Sequence, residues 1–538
     1  MLLSLTACSK ASTEETKKKK KTKKTTTEET TEISETPTED TTSDTEPSET
    51  TTTAPANVFV VDDSLEMTGL SFPMQYWDYT LAFSASDEDT NCLFLSVDQL
   101  YFEDGSPYTA LGTALDRDLK PLADATVKKF QDDSEAFLKE AKAGNVPDGK
   151  NYSFKTAIFR SDSQIFSCVV TDMADMEEGK FLSFSYRTQD GSSISFDDVV
   201  LDRSALSSYF ETVFAQPGAD SDYLSWVSEM ESHIVDGTIP FALTYDGIIF
   251  LDTSYSMINY YPYKLSVIGH EDIFNMEYFG KTPKYYTIYD DPNHNIVWDV
   301  NGDGQMDTIV CESEYSTGTG KYGEDEVILK IDYNGYKIDS RSEGIDIFSY
   351  GIMYSMIMKT DSGFYLYCRM NSIDSFEDTY VFKIDGDKLT YVGVFMDFMS
   401  SRGLINPEAF GMYDIMDTIG SQFFTSEFSV IGNNGMPNCK ADLWWTDAEP
   451  MMTKIDIPCA RVSETDLTKV EDVTIPAGSF VRPCLYDVQT KRLIVAVVSE
   501  DPSAEFMAEV DFSTDADYNM LINGKNVEDI FYGVMFWG

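Results

Sequence analysis

Along residues 57–538 apolar side chains recur with two different periods, and the two periods sort the chain into elements. Alternation of apolar and polar positions marks half-buried strands. It appears at 152–160, 163–171 and 181–187, with Asp190-Gly191 as a hairpin signal, and the apolar run 92–97 also reads as a strand. Alternation returns at 238–250, around a turn at Asp246-Gly247. Three- and four-residue spacing marks helices. Apolar residues at 127, 130, 137, 138 and 141 predict a helix over 121–141, with Pro121 near its start. Stripes at 205, 206, 209, 210, 213 and 214, then at 223, 226, 227, 230 and 234, predict two more helices, over 202–214 and 221–234.

Beyond about residue 290 the helical period disappears. Strands are expected at 326–332, 364–369 and 379–384, with Asn334-Gly335, Asp385-Gly386 and Asn434-Gly435 as turns. The last segment has strands near 480–486 and 492–498 and a turn at Pro476-Ala477-Gly478. Its size suits a small SH3-like barrel. The expected fold class is α+β: a mixed domain at 57–289, a strand-rich domain at 290–450 and a small β domain at 451–538.

Charge changes the picture of partners. The chain carries 92 acidic and 40 basic side chains, a formal net charge of -52. Residues 9–56 hold 8 lysines and 11 acidic residues, which leaves 32 basic and 81 acidic side chains in 57–538. Such a surface repels phosphate backbones and anionic headgroups, so nucleic acid is excluded as a partner. Cations and cationic macromolecules are attracted.

The first eight residues read MLLSLTAC, and Leu5-Thr6-Ala7-Cys8 has the form of a lipobox, whose cysteine receives lipid. No basic region precedes it and the apolar run is short, so 1–8 reads as the remnant of a lipoprotein signal. Residues 9–56 are a low-complexity run of Thr, Glu, Ser and Lys, a disordered tether. No later stretch of about 18 apolar residues is present to span a membrane. Lipid on Cys8 would thus anchor the chain on the outer face of a cell membrane.

Candidate chemistry concentrates at VWDVNGDGQMDTIV, 297–310. Asp299, Asn301, Asp303 and Asp307 offer oxygens at nearly alternate positions, and the Gln305 carbonyl offers another. Calcium takes six to eight hard oxygens in flexible geometry. Gly302 and Gly304 permit the positive backbone angles of a tight loop. An EF-hand would place a glutamate at the twelfth position, which is Val310 here, inside a strand-like run. The expectation is a structural calcium loop between strands; the alternative is an Asx-rich turn without an ion.

Residues 238–280 carry a further pattern. Asp246-Gly247-Ile248-Ile249-Phe250 ends a strand, tyrosines follow at 255 and 260, and FDDVV stands upstream at 196–200, before two helices. This order resembles the RsiV-like ectodomain family, which includes N-terminal modules of PdaC-type peptidoglycan deacetylases, over about 90–285. The resemblance implies a cell-wall polymer or a lysozyme-like protein as ligand, with Tyr255 and Tyr260 as candidate binding residues. The family's Gly-Gly-Ala-His-Gly turn is replaced by residues 174–180, and its Asn-Pro-Tyr-Glu by Thr253-Ser254-Tyr255-Ser256.

Material for catalysis is sparse. Histidines 233, 270 and 294 are scattered, and no Gly-x-Ser-x-Gly elbow, HExxH motif or phosphate loop occurs. Asp197 and Asp198 read as strand-end or helix-capping residues. Seven cysteines follow Cys8, none in a CxxC pair, and several lie in apolar strands as buried thiols. The expectation is non-enzymatic binding at the cell envelope. A carboxylate-dependent glycan hydrolase and a structural surface protein without a ligand are the alternatives.

Overall fold

In the computed structural model, residues 56–538 are described except for 70–73, 85–88, 101, 103–105, 146, 174–179, 216–220, 251–262, 292, 318–325, 346, 348, 373–376, 396–397, 400–405, 447, 464–465, 500–503 and 537–538. Cys8, Tyr255 and Tyr260 therefore lie outside the described residues. Strands dominate, and among the described residues every α-helix except the short Val527–Ile530 lies before residue 240, an α+β architecture.

The N-terminal sheet has five strands in chain order, Met74–Ser84, Asp89–Gln99, Lys150–Ser161, Ile165–Met173 and Lys180–Arg187. Only the second and third run parallel. A parallel pair needs a long crossover, and the helices Thr109–Asp118 and Lys120–Lys142 supply it. The second helix is where the 3.6-residue period puts it. It buries Phe130 and Phe137 and turns Lys120–Asp124, Lys128–Asp132 and Lys129–Asp133 pairs outward. The first helix buries only Leu111, Ala114 and Leu115. That stripe is too short to show in the sequence.

Next come helices Arg203–Phe214 and Ser221–Asp236, the former capped by the Asp202 side chain on Ala205 N. A short turn of helix, Phe196–Val199, opens with a reciprocal Ser195–Asp198 capping box. Asp197 pairs with Arg203 at 2.5 Å. Both aspartates of FDDVV thus act locally. A three-stranded sheet follows: Phe241–Leu243, Gly247–Phe250 and Tyr263–Ser266.

Two antiparallel meanders come next. One is Asn295–Trp298, Asp307–Ser316, Glu326–Tyr333 and Tyr336–Asp339. The other orders Tyr286–Tyr289, Ser349–Thr360, Gly363–Ser372, Glu377–Asp385 and Lys388–Phe395. Buried apolar side chains form one continuous cluster from Phe59 to Leu389, spanning the helices Arg203–Phe214 and Ser221–Asp236, the three-stranded sheet and both meanders. The core therefore runs straight through position 289/290. Every described residue belongs to one compact unit.

The C-terminal expectation needs correction. No closed barrel forms among the described residues. Strands Phe480–Asp487 and Arg492–Val498 belong to an open eleven-stranded sheet that also takes in Phe410–Thr418 and Gly420–Ser429. The reason is edge pairing. Leu443–Thr446 pairs with Phe480–Asp487 on one side and with Gly420–Ser429 on the other. The tail therefore extends a sheet begun earlier in the chain.

Candidate functional site

The 299–307 loop closes the hairpin between Asn295–Trp298 and Asp307–Ser316, where Trp298 and Asp307 are register partners. Gly302 and Gly304 have φ of 77° and 86°, as such a turn requires. Asp299 and Asp307 stand at its two ends, 8% and 4% exposed, while 301–305 are exposed.

Each acidic side chain accepts from the loop's own backbone. Asp299 takes Gly302 N at 2.7 Å on one oxygen and Gly304 N at 3.0 Å on the other. Asp303 takes Gln305 N at 2.8 Å, and Asn301 Oδ1 takes Asp303 N at 2.9 Å. Asp307 takes Val300 N at 3.0 Å and Asn301 Nδ2 at 3.2 Å.

Two residues outside the motif complete the arrangement. Asn57 Nδ2 donates to Asp299 at 3.0 Å. Asn334 Nδ2 donates to Asp307 at 2.5 Å while its Oδ1 accepts Thr308 N at 2.8 Å. Asn334 is legible in the sequence as a turn residue, and it has the positive φ of one, 48°. That its side chain reaches the loop is a tertiary fact.

Burial, the largest influence, raises the Asp307 carboxyl above its ordinary value; the nearby Asp303 charge acts in the same direction. Among the described residues, no three His, Cys, Asp or Glu side chains gather as a metal-binding group.

The Asp246-Gly247 step of the family-like pattern has a packing explanation. A Cβ on Gly247 would stand 2.2 Å from Leu265 O, so only glycine fits. Asp246 is 1% exposed and ion-paired with Lys264 at 2.6 Å. It also accepts from Thr244 Oγ1 at 3.0 Å, and Lys264 Nζ donates to Tyr289 O.

A second buried pair, Arg160–Asp162 at 2.7 Å, adds Tyr278 O as acceptor for the guanidinium, which lies 4.8 Å from the Tyr245 ring centroid. Nothing in the local sequence pattern marks either pair.

The histidines stay apart. His233 meets Thr238 Oγ1 at 2.9 Å, and His270 stacks on Tyr209. His294 Nδ1 lies 2.9 Å from Asp290, whose same oxygen accepts Ser355 N at 2.7 Å and Ser355 Oγ at 2.9 Å. Nucleophilic catalysis needs serine on histidine and histidine on the acid. Here both converge on the acid, a hydrogen-bonded cluster around a buried carboxyl.

A cleft of about 240 Å³ lies between the helix pair and the N-terminal sheet, lined by Tyr76, Asp98, Leu115, Leu119 and Phe154 among others. Its buried acid, Asp98, accepts Thr156 N at 2.6 Å.

Comparison with known proteins adds little. No family model matches the chain, and no curated protein does. Among solved structures, a member of the DUF3298 family from Bacteroides fragilis is similar over 40% of this chain and 94% of its own, at 12% identity and a TM-score of 0.26.

Proposed function

We propose that the protein is a lipid-anchored lipoprotein on the outer face of a Gram-positive cell membrane. Its RsiV-like α+β region is held out on the 9–56 tether. There it binds a cell-wall polymer or a lysozyme-like protein without catalysing a reaction. The observation that carries this reading is the excess of 81 acidic over 32 basic side chains in 57–538. An acidic field of that size steers cationic macromolecules toward the surface. Lysozyme-like proteins are often cationic, and the resemblance over 90–285 points to the same ligand class.

The second part of the proposal is a structural calcium ion in the 299–307 loop. The donor set fits the ion: every candidate ligand is a hard oxygen. An ionised carboxylate has about four lone-pair sites. Asp303 accepts one amide and Asp299 and Asp307 three each, which leaves every one of them at least one lone pair to turn to a cation. Asp307, whose charge burial opposes, would be relieved by one.

The test is binding of the full chain to a cationic muramidase and to purified cell wall across a salt series. Saturable binding that weakens steeply as salt rises is expected, because screening shortens the reach of the charges. No binding to either probe, or binding indifferent to salt, overturns the reading. Release of reducing ends from the wall would place the protein among carboxylate-dependent hydrolases instead.

A further inference from the structure

The two meanders that follow residue 285 contribute to the same core, and each sends a cysteine into it. Cys311 is on Asp307–Ser316 of the four-stranded sheet and Cys368 on Gly363–Ser372 of the five-stranded sheet. Both are 0% exposed, and their sulfurs lie 3.8 Å apart. All seven described cysteines are free thiols, and among them the sulfur–sulfur approach is between 311 and 368. Juxtaposition of two thiols is thus confined to this pair, 57 residues apart in the chain.

We infer that Cys311 and Cys368 form a disulfide that clips the two sheets together when the chain folds in an oxidising compartment. A disulfide holds its sulfurs about 2.05 Å apart. Closing the gap takes a movement of roughly 1.8 Å, shared between the two side chains. Bridges of this kind join the two sheets of immunoglobulin domains.

The chemistry is thiol–disulfide exchange. A small-molecule or protein disulfide is attacked by one cysteine as its thiolate. The second cysteine then attacks the mixed disulfide, and the donor leaves as two thiols. Two cysteine thiols are oxidised, one disulfide is reduced, and the two protons end on the released thiols. Full burial dictates the timing. Desolvation holds the folded Cys368 thiol well above its ordinary pKa, so exchange belongs to folding, before the core closes over the sulfurs.

The inference rests on the exported location for its oxidant in the cell, but refolding in vitro separates the two. The full chain is refolded in an oxidised/reduced glutathione buffer, denatured, alkylated and mapped by mass spectrometry. The expected result is a linked pair of peptides containing 311 and 368, two hydrogens lighter, with the remaining cysteines alkylated. The melting temperature should fall by about 5 °C on reduction of the wild type and stay unchanged on reduction of Cys311→Ala. Alkylation of both 311 and 368, or their linkage to other cysteines, overturns the inference even if the variant fails to fold. A linked pair after refolding but free thiols in native material would support the bridge and count against export.

Discussion

The 299–307 loop and the Asp246–Lys264 pair both hold aspartates out of water, and they satisfy them in opposite ways. Asp299 and Asp307 are 8% and 4% exposed and take backbone amides and side-chain amides, with no cation among their partners in the described residues. Asp246 is 1% exposed and takes the full charge of Lys264, 18 positions along the chain. Charge is dispersed over neutral donors in the first case and cancelled in the second. The contrast teaches what each region can accept: the loop still has negative charge to offer, and the pair has none.

The largest effect follows from cancellation. Lys264→Met leaves Asp246 buried beside an uncharged side chain, and breaking such a pair costs about 3–5 kcal/mol. Denaturant unfolding should show that loss, and Lys264→Met/Asp246→Leu should recover much of it. A single variant within about 1 kcal/mol of wild type would mean that the buried aspartate does not depend on its counter-charge, and the comparison would fail.

The next effect follows from dispersion. Asp303 is exposed and accepts one amide, from Gln305. Asp303→Ala should therefore change stability by no more than about 0.5 kcal/mol in the presence of a chelator. Calcium at about 100-fold over its dissociation constant should stabilise the wild type by about 2.7 kcal/mol and the variant by far less. Equal melting curves for the wild type with calcium and with chelator would make the loop a turn and nothing more.

How much of each region can be read in advance follows from the range of its interactions. The loop's hydrogen bonds span one to seven positions, so the spacing of Asp299, Asn301, Asp303 and Asp307 already contains them. The helices at 120–142, 203–214 and 221–236 are legible for the same reason, because their stripes repeat every turn. Lys264, Asn334 and Asn57 reach their aspartates across 18, 27 and 242 positions, and no local period records that. The barrel expected of the tail fails likewise. The strand segments are visible in alternation, but the partner that Phe480–Asp487 takes at Leu443–Thr446 is a long-range choice.

Asp290 sits between the two cases, and it supplies the smallest effect and the finest test. Its carboxyl is buried, accepts Ser355 N and Oγ, and faces His294, with Asp291 adding negative charge near the imidazole. Burial raises the Asp290 pKa above its ordinary 3.8, because the hydrogen bonds from His294 and Ser355 offset only part of the desolvation. Burial also opposes the charge on His294, but the hydrogen bond and charge of Asp290 outweigh it and raise its pKa above 6.5.

Both groups hold protons more tightly when folded, so both contribute stability that is lost as pH rises. For Asp290 the loss starts from 3.8 upward. For His294 the contribution is complete below 6.5 and disappears as pH climbs through the raised value. The wild type should therefore lose stability as pH rises above 6.5. His294→Gln keeps a donor toward Asp290 but cannot titrate, and its stability should be flatter over that range. If wild type and variant show the same slope, His294 holds its proton no more tightly in the folded protein than in the unfolded chain. The pairing would then contribute nothing, and Asp290 would rest on its Ser355 donors, as Asp299 and Asp307 rest on amides.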